Sequence, residues 1–506
     1  MSTSLNNTAS TSPVYAKRRA AVGRALKAAG GGIALLPTAP EVPRNRDSDF
    51  PYRHDSYFYY LTGFSEPGAW LAIDAGGKTV TSTLFCRPKD LEREIWDGIR
   101  LGPKAAPAQL GVDAAFSTDA LDEKMPELLA NQNAVWFPFA THKGLDTQVD
   151  GWLDKVRARV RQGIECPRSQ HDLCTLLDGM RLFKDSHEIA ILRRAGKISA
   201  GAHVRAMQAS AAMLRDGVKG GLREYHLDAE LLHEFRRHGS EFPAYTSIVA
   251  AGANACVLHY RAGSAELQPG QLCLIDAGCE LEGYASDITR TFPADGKFTP
   301  AQRLLYDIVH AAQEAAIAVT RPGKRFNDPH DAATRVLVEG MLEVGLLAKA
   351  KHGKVDDVLA SGAYRQFYMH RTGHWMGMDV HDCGDYTEPG SRPREEKDPA
   401  GQSVMRKPPR ILKPGMVLTV EPGLYVRPAK GVPKEFWNIG IRIEDDALVT
   451  AKGCELMTRG VPVAADEIEA LMAETVDQLA DQAVTQKAQK RVASTSEARK
   501  VTLREL

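Results

Sequence analysis

The sequence predicts an α+β protein in which a smaller α/β domain precedes a larger C-terminal domain. Three observations predict this fold class. The length of 506 residues suggests more than one domain. Short apolar runs alternate with helical stretches up to residue 183, which is typical of α/β structure. Asp185 and Glu188 then form a capping-box pattern ahead of a long apolar-periodic segment, which predicts a domain boundary here.

The composition excludes several classes of protein. The 64 Lys and Arg residues balance the 64 Asp and Glu residues, so the chain lacks the basic excess that favours binding to nucleic acid or to a membrane surface. No apolar run approaches the roughly 18 residues of a membrane-spanning helix. The 8 cysteines include no C-x-x-C pair, which argues against a zinc finger and a disulfide scaffold. We therefore expect a reducing, cytoplasmic location.

The N-terminal segment is basic and contains no acidic residue before Glu41. Such an Arg-rich and Ser/Thr-rich start is also typical of organellar transit peptides, so organellar targeting stays open as an alternative. We favour a disordered tail over residues 1–14 and an amphipathic first helix over residues 15–29, because an apolar run typical of a first buried strand follows at once.

The apolar periodicity places the remaining elements of two domains, at residues 15–183 and 184–475. Helices of the second domain are predicted at residues 189–213, 224–238, 301–320 and 331–344. Strands of the second domain are predicted at residues 247–250, 272–278, 285–292, 416–420 and 441–448.

Two segments show no apolar period. Residues 384–410 contain five prolines and many charges, so we predict a loop insertion there rather than a helix or strand. Residues 476–506 are polar and charged and are predicted to form a C-terminal tail without catalytic residues.

Two aspartates in the segment LCLIDAGCELEGYASDITRTF give the first sign of a functional site. The apolar run before Asp276 indicates a buried strand, and Gly283 indicates a turn into a second strand. A turn centred between Leu281 and Glu282 would make Asp276 and Asp287 cross-strand partners, about 4.5–5.5 Å apart. Two carboxylates opposed at the end of a buried strand are destabilising unless they are protonated or bridged by a cation.

Three further motifs extend this site. MHRTGHWMGMDVHD brings His370, His374 and His381 together among glycines, as in a functional loop. The strand in VLTVEPGLY leads directly into Glu421. In GIRIEDDALV, Arg442 and Glu444 share one face of a strand.

Together these motifs supply four carboxylates and one imidazole. This oxygen-rich donor set suits a pair of divalent ions, Mn²⁺, Co²⁺ or Zn²⁺, better than one structural zinc. Such ions lower the pKa of bound water to about 7 and so supply a nucleophile at neutral pH.

The order of these residues and their contexts, DAG, DITRTF, HWMG, EPG and IRIEDD, resembles the pita-bread dinuclear metallopeptidases, and most of all the aminopeptidase P family. RDSDFPYRHDSYFYYLTGFSEPGAW resembles that family's N-terminal domain. The resemblance implies a pita-bread catalytic domain and two metal ions, with Mn²⁺ preferred. It also implies a homo-oligomer, dimer or tetramer, that hydrolyses peptides with proline in second position.

The resemblance also implies a role for each matching residue. Asp287 and Glu444 would bridge both metals, and Asp276 would bind one of them. His374 and Glu421 would bind the other, with Glu421 also taking part in proton transfer.

The remaining matches concern the substrate. His259, His370 and His381 would orient the scissile carbonyl and stabilise its oxyanion. Arg442 would hold a ligand carboxylate in place. Asp47 and Trp96 match N-terminal-domain positions that, in oligomeric relatives, approach the active site of a neighbouring subunit. The insertion at residues 384–410 and the extended C-terminal tail depart from the family pattern.

Alternative functions remain open at this point. Prolidase shares the fold and the metal set but takes Xaa-Pro dipeptides, and the five ligands do not separate the two activities. Methionine aminopeptidase fits less well, because a domain of roughly 180 residues precedes the catalytic domain. A non-catalytic binding protein on this fold would be expected to lack some of the ligands.

Overall fold

The structure is a computed structural model that describes residues 8–397 and 402–474, with side chains from residue 13 onward. The predicted tail over residues 476–506 and residues 1–7 of the predicted N-terminal tail lie outside the described residues. The chain divides into two units, Met1–Arg181 and Leu182–Leu506.

The first unit combines helices with one large sheet. Its described helices are α1 (Thr8–Ala28), α2 (Ser56–Thr62), α3 (Leu91–Asp97), α4 (Ala106–Leu110), α5 (Leu121–Leu129), α6 (Leu145–Arg157) and α7 (Cys174–Arg181). Its described strands are β1 (Ile33–Pro37), β2 (Pro43–Asn45), β3 (Ser48–Asp49), β4 (Trp70–Asp74), β5 (Thr81–Cys86), β6 (Ala114–Ser117), β7 (Ala134–Phe137) and β8 (Ser169–Asp172).

Six of these strands form a mixed sheet in the order β6-β5-β4-β1-β7-β8. Strand β1 is fully buried and pairs antiparallel with β4 and parallel with β7. Leu35, Met125 and Trp152 belong to one buried cluster beside this sheet. The Trp152 indole N–H donates to Asp122 Oδ1 at 2.7 Å, so the polar atom of this large core residue is satisfied.

Helix α1 begins earlier than the sequence predicts. It starts at Thr8 rather than at residue 15 and contains Pro13. The prediction of a disordered tail is therefore wrong from Thr8 onward. Pro13 removes one backbone hydrogen bond and crowds the preceding turn, but the helix continues through it.

The second unit contains long helices and many short strands. Its described helices are α8 (Ser186–Asp216), α9 (Glu224–Arg237), α10 (Pro300–Val319), α11 (Asp328–Glu343), α12 (Lys349–His352), α13 (Val355–Ser361) and α14 (Ala465–Ala473). Its described strands are β9 (Phe242–Pro243), β10 (Ile248–Ala251), β11 (Leu272–Asp276), β12 (Cys279–Leu281), β13 (Tyr284–Ala285), β14 (Thr289–Pro293), β15 (Arg394–Lys397), β16 (Ser403–Arg406), β17 (Val417–Val420), β18 (Gly423–Val426), β19 (Ile439–Arg442), β20 (Asp445–Val449) and β21 (Cys454–Leu456).

Helix α8 starts at the predicted capping box, and this prediction is confirmed. The backbone N–H groups of His187 and Glu188 donate to Asp185 Oδ1, and Glu188 accepts from the backbone N–H of Asp185 at 2.9 Å. These bonds satisfy backbone donors that a helix start leaves open. Within the described part of the chain, no helix has both the length and the apolar character needed to cross a membrane.

The strands of the second unit are interrupted where the sequence predicts continuity. Strand 285–292 is split into β13 and β14, and strand 441–448 is split into β19 and β20. An isolated bridge pairs Thr289, the first residue of β14, with Glu444 in the second break. The breaks contain Asp287 and Glu444, so both carboxylates lie where regular strand pairing stops.

The predicted pairing of Asp276 with Asp287 is wrong in register. Asp276 pairs with Thr289 across β11 and β14, while Leu281 pairs with Tyr284 across β12 and β13. The turn therefore consists of Glu282 and Gly283, both with positive φ, which is the two-residue hairpin geometry.

The predicted loop at residues 384–410 contains a β-hairpin, so the expectation of no secondary structure is wrong there. Strands β15 and β16 pair antiparallel from Arg394 with Arg406 to Lys397 with Ser403. Both strands are almost entirely exposed. An exposed hairpin needs no alternation of apolar residues, which explains why the sequence pattern did not reveal it.

Candidate metal centre and substrate cavity

A cavity of about 760 Å³ in the second unit brings together the site residues that the sequence predicts there. Its wall includes His259, Asp276, Asp287, His370, His374, His381, Glu421, Arg442 and Glu444. Pockets of this size bind small ligands and short peptides.

The four carboxylates enter the cavity from strand ends and strand breaks. Asp276 is the last residue of β11, and Glu421 directly follows β17. Asp287 and Glu444 occupy the two breaks described above, where the backbone N–H of Glu444 donates to Thr289 O at 3.0 Å. At such positions a side chain is free of the regular face alternation of a strand and can turn toward the cavity.

The loop that carries His374 lies directly against β17. The backbone N–H of Thr419 donates to His374 O at 3.0 Å, and the N–H of Glu421 donates to Thr372 O at 2.8 Å. A Cβ at Gly373 would lie 2.1 Å from Thr419 O, so only glycine permits this approach. The loop and the strand therefore hold His374 and Glu421 side by side.

The His374 ring presents Nε2 to the carboxylates. Its Nδ1–H donates to Trp375 O at 3.0 Å, and in the neutral ring this bond leaves the lone pair on Nε2. Nε2 lies 3.5 Å from Asp287 Oδ2 and 3.8 Å from Glu421 Oε1.

Tyr245 is a site residue that the sequence analysis missed. Its hydroxyl lies 2.6 Å from Asp276 Oδ1 and 2.5 Å from Asp287 Oδ1, so one hydroxyl oxygen connects both aspartates. Burial, with Asp276 and Asp287 next, raises the pKa of Tyr245 well above its ordinary value. The surrounding residues PAYTS carry no pattern that would have identified this tyrosine.

The cluster carries more negative charge than its neighbours compensate. Burial and the proximity of Asp276 raise the pKa of Asp287, and burial with Asp287 and Glu421 raises that of Glu444. Burial also raises the pKa of Glu421 to about 7, against the opposing effect of His374. Burial alone would lower the pKa of His374, but Asp287 and Glu421 outweigh it and raise that pKa to about 9. All these shifts favour an added cation.

The donor set fits a divalent metal site. One donor atom each from Asp287, His374 and Glu444 lie within 4.8 Å of one another. Carboxylate oxygens with an imidazole nitrogen are donors that Mn²⁺, Co²⁺ and Zn²⁺ accept. A cation at this position would also relieve the repulsion among the buried carboxylates.

Arg442 connects the cluster to its surroundings. Its Nη2 donates to Asp276 Oδ2 at 2.5 Å, its Nε to Thr289 Oγ1 at 3.1 Å and its Nη1 to Tyr425 OH at 3.0 Å. Thr289 Oγ1 in turn donates to Glu444 Oε2 at 2.7 Å. The guanidinium therefore orients two carboxylates of the cluster, one directly and one through Thr289.

The three predicted substrate histidines line the same cavity. The His381 ring lies 4.2 Å from the His374 ring, measured between centroids. Burial, followed by the proximity of His374 and His259, lowers the pKa of His381. His259 and His381 are exposed to the cavity rather than packed in the core.

His370 is held from both ring nitrogens. Nδ1–H donates to Arg371 O at 2.7 Å, and Nε2 lies 2.8 Å from Tyr425 OH, whose hydroxyl donates to it in the neutral tautomer. Burial and Arg442 lower the pKa of His370 to about 3. The ring is therefore neutral and oriented at physiological pH.

Asp47 and Trp96 belong to the first unit and are exposed there. Trp96 lies on α3 with 85% of its surface exposed, beside Leu91 and Ile95, which are exposed to a similar extent. Their role in the active site stays a prediction.

Comparison with known proteins gives a family match in each of the two units. Residues 190–451 match metallopeptidase family M24, and residues 15–136 match the aminopeptidase P N-terminal domain. The chain is 44% identical over 443 residues to the Xaa-Pro aminopeptidase of Escherichia coli K12, a match that covers 87% of this chain and 94% of that protein.

Solved structures give the same result at the level of the fold. The Pseudomonas aeruginosa aminopeptidase PepP superimposes with a TM-score of 0.83 at 44% identity, covering 91% of this chain and 98% of that one. A zinc-substituted Escherichia coli aminopeptidase P in complex with product gives a TM-score of 0.82 at 42% identity, with the same coverage.

Proposed function

The chain belongs to metallopeptidase family M24, and from this membership we propose that it is an Xaa-Pro aminopeptidase, which removes the N-terminal residue from peptides with proline in second position. The observation that carries the proposal is the cavity in which four carboxylates and His374 meet, within the residues that match the family. Relatives named Xaa-Pro aminopeptidase match most of the chain, which favours this activity over that of a prolidase.

The predicted fold class is confirmed. A pita-bread catalytic domain of mixed helices and strands follows a smaller α/β domain of the aminopeptidase P N-terminal type. The predicted enzyme class, a metallopeptidase of the aminopeptidase P kind, is confirmed by the same comparisons.

The enzyme depends on divalent metal ions, and we assign its ligands as follows. Asp287 and Glu444 would be shared by two ions, Asp276 would bind one of them, and His374 and Glu421 would bind the other. A metal pair held by these residues would supply an activated water nucleophile and Lewis-acid polarisation of the scissile carbonyl. We propose Mn²⁺ as the preferred metal, with Co²⁺ and Zn²⁺ as substitutes, and the zinc-substituted relative supports this tolerance.

The other residues of the cavity orient the substrate. We assign His259, His370 and His381 to the scissile carbonyl and its developing oxyanion, since all three line the cavity beside the metal cluster. Glu421 is assigned to proton transfer, because its Oε2 lies 3.7 Å from His370 Nδ1 and its Oε1 lies beside His374. Arg442 keeps Asp276 oriented through its short bond.

Proline in the second position is compatible with the same arrangement. The bond before proline has no N–H, so a site that relies on that hydrogen bond would fail with this substrate. A site that acts on the carbonyl oxygen through metal ions and imidazoles does not need the missing hydrogen.

We also propose a homo-oligomer, dimer or tetramer. Leu91, Ile95 and Trp96 expose more than 79% of their surfaces on one short helix, and such a patch supports a contact with another subunit. The proposed roles of Asp47 and Trp96 depend on that contact. Among the described residues the eight cysteines form no disulfide, which supports a reducing location such as the cytoplasm.

The proposal is tested by comparing three peptides with Mn²⁺ present and after chelation. We expect release of arginine from Arg-Pro-Pro, little hydrolysis of the dipeptide Ala-Pro and none of Ala-Ala-Ala. Chelation should abolish the activity, and Mn²⁺ should restore it. Faster hydrolysis of Ala-Pro than of Arg-Pro-Pro would instead identify a prolidase.

A further inference from the structure

Two arginines, Arg261 and Arg371, line the substrate cavity without a part in the metal cluster. Each follows a proposed substrate histidine closely in sequence, Arg261 after His259 and Arg371 after His370. The backbone connects the second pair directly, because His370 Nδ1–H donates to Arg371 O at 2.7 Å. Both arginine side chains are exposed.

The negative charges of the cavity wall lie in the metal cluster, whereas two of its positive charges lie outside that cluster. Every carboxylate among the described lining residues, at positions 276, 287, 421 and 444, belongs to the metal cluster. The third lining arginine, Arg442, is engaged with Asp276. The positive charges of Arg261 and Arg371 therefore have no carboxylate of the wall to compensate them, and Asp331, which interacts electrostatically with Arg371, lies outside the wall.

Both guanidinium groups retain free hydrogen-bond donors. Among the described residues, Arg261 has no side-chain hydrogen bond and no ion pair within 4.0 Å. Arg371 donates from Nη2 to Asn327 Oδ1, which also lines the cavity. A guanidinium carries five N–H donors, so Arg371 keeps most of them. Exposed arginines usually only interact with water, but these two face the space that the substrate enters.

A bound peptide has charges that match this separation. Its N-terminal ammonium is positive, whereas its C-terminal carboxylate and any acidic side chain are negative. With the scissile bond at the metal cluster, the third residue of an extended peptide ends about 7 Å farther along, since each residue spans about 3.3–3.6 Å. A tripeptide fits within a cavity of about 760 Å³.

We propose that Arg261 and Arg371 form a subsite for a carboxylate that follows the proline of the substrate. This carboxylate is either the C-terminus of a tripeptide or an acidic side chain at the third position. Arginine suits both, because its planar N–H groups match carboxylate geometry. The inference rests on the proposed function and adds a substrate preference to it.

The test compares matched peptides with wild-type enzyme loaded with Mn²⁺. Ala-Pro-Ala and Ala-Pro-Ala amide differ only in the C-terminal charge. Ala-Pro-Asp-Ala amide and Ala-Pro-Asn-Ala amide differ only in the side-chain charge at the third position. We expect kcat/KM to be about 10-fold higher for the charged member of at least one pair, with the difference in KM, because the contact exists before the reaction as well as during it.

Variants assign the preference to the arginines. In Arg261→Gln and Arg371→Gln, the ratio of kcat/KM for the charged peptide to kcat/KM for the uncharged peptide of the preferred pair should fall toward 1. Arg371→Glu should reverse it and favour the uncharged member of that pair. Arg321→Gln, an exposed arginine outside the cavity wall, serves as the matched control and should leave both the rate and the ratio unchanged.

The outcomes separate this inference from the proposed function. A preference for the first pair alone identifies the C-terminus as the ligand, and a preference for the second identifies an acidic side chain. Equal kcat/KM within both pairs would overturn the subsite, as would an unchanged ratio in both glutamine variants. Failure to cleave any of these peptides would instead overturn the proposed function.

Discussion

At the scale of single residues, the cavity depends on buried carboxylates that no protein cation fully compensates. Asp287 and Glu444 are 5% and 2% exposed and both have raised pKa values. A buried charge without a partner lowers the stability of the fold. A site that keeps two buried carboxylates is therefore expected to bind a cation. Their substitution should therefore affect metal binding first.

Carboxylates and histidines should respond differently to substitution. Asp287→Asn and Glu444→Gln should eliminate turnover and lower the metal content, because they remove a proposed shared ligand. His381→Ala and His370→Ala should retain metal and lose about 10²–10³ in kcat, the usual loss of an oxyanion donor. Metal analysis of the purified proteins, with peptide assays, checks both.

An exposed acidic residue provides the control for this comparison. Glu339→Gln on α11 should change neither metal content nor rate. Loss of metal from His381→Ala would place His381 among the ligands, and full activity of Glu444→Gln would remove Glu444 from the site.

His203 gives a prediction for the pH dependence of stability. This fully buried side chain donates from Nε2 to Ala277 O at 2.9 Å, and burial lowers its pKa to about 4. An unfolded histidine has a pKa of about 6.5. Between pH 6.5 and 4 the unfolded state therefore binds a proton that the native state does not bind, so stability falls as pH falls through this window.

The effect can be measured by urea unfolding at pH 7 and pH 5 with chelator present. Between these pH values the free energy of unfolding of wild-type protein should fall by about 2 kcal/mol because of His203. His203→Gln keeps an N–H donor but cannot be protonated. Its free energy of unfolding should therefore fall by about 2 kcal/mol less than that of wild type. His233→Gln, at an exposed position, should behave as wild type. An equal pH dependence in both variants would contradict the assignment.

At the scale of elements, the insertion consists of an anchored base and an exposed hairpin. Tyr386 at the base lines the cavity, stacks on Trp375 at 5.6 Å and accepts the Trp375 backbone N–H at 3.1 Å. The backbone N–H of Arg410 closes the base by donating to Tyr386 O at 2.9 Å. Strands β15 and β16 beyond it are exposed.

Removal of the hairpin alone should be tolerated. A variant with residues 391–407 replaced by a short Gly/Ser linker should fold, bind metal and cleave a tripeptide at nearly the normal rate, because it keeps the anchored base. Its rate on longer Xaa-Pro peptides should rise relative to the tripeptide if the hairpin restricts access. An unchanged length preference, measured with peptides of three to ten residues, would show that it does not.

A substitution at the base is the matched comparison for that deletion. Tyr386→Ala should lower the free energy of unfolding by about 1 kcal/mol, since it removes ring contacts with Trp375 and Phe326. It should also lower activity, because Trp375 directly follows His374. A stable and fully active Tyr386→Ala would contradict this role of the base.

Elements with local signals could be predicted from the sequence, and those set by tertiary contacts could not. The start of α8 follows from Asp185 and Glu188, which interact within one turn. The register of β11 with β14 depends instead on a turn in which Glu282 adopts a positive φ of 51°, a conformation that this residue type rarely adopts. Gly283 at the second central position favours that turn, but a glutamate at the first central position does not, so the sequence did not settle the register.

The site residues also divide into those that a local pattern predicts and those that only tertiary contacts bring together. Residues at strand ends, such as Asp276 and Glu421, follow directly from apolar runs that precede them. Tyr245 and Tyr425 are brought to the cluster only by the fold, through contacts that span 31 residues to Asp276 and 17 residues to Arg442. The sequence around neither tyrosine indicates such a partner.

At the scale of the whole molecule, every proposed metal ligand belongs to the second unit, Leu182–Leu506. The ligands come from β11, from the two strand breaks, from the His374 loop and from the end of β17. A metal that binds the native state stabilises the structure that holds its ligands. The stabilisation by bound metal should therefore be greatest where these five segments meet.

Hydrogen exchange with and without chelator measures this distribution. Metal removal should speed exchange in peptides that cover residues 272–293 and 417–449, because the buried carboxylates then repel each other and local opening becomes easier. Peptides that cover β1 and β4, in the sheet of the first unit, contain no ligand and should change much less. In Glu444→Gln, chelator should have little further effect on any peptide. Equal acceleration of β1 and β11 in wild-type protein would contradict a metal site confined to the second unit.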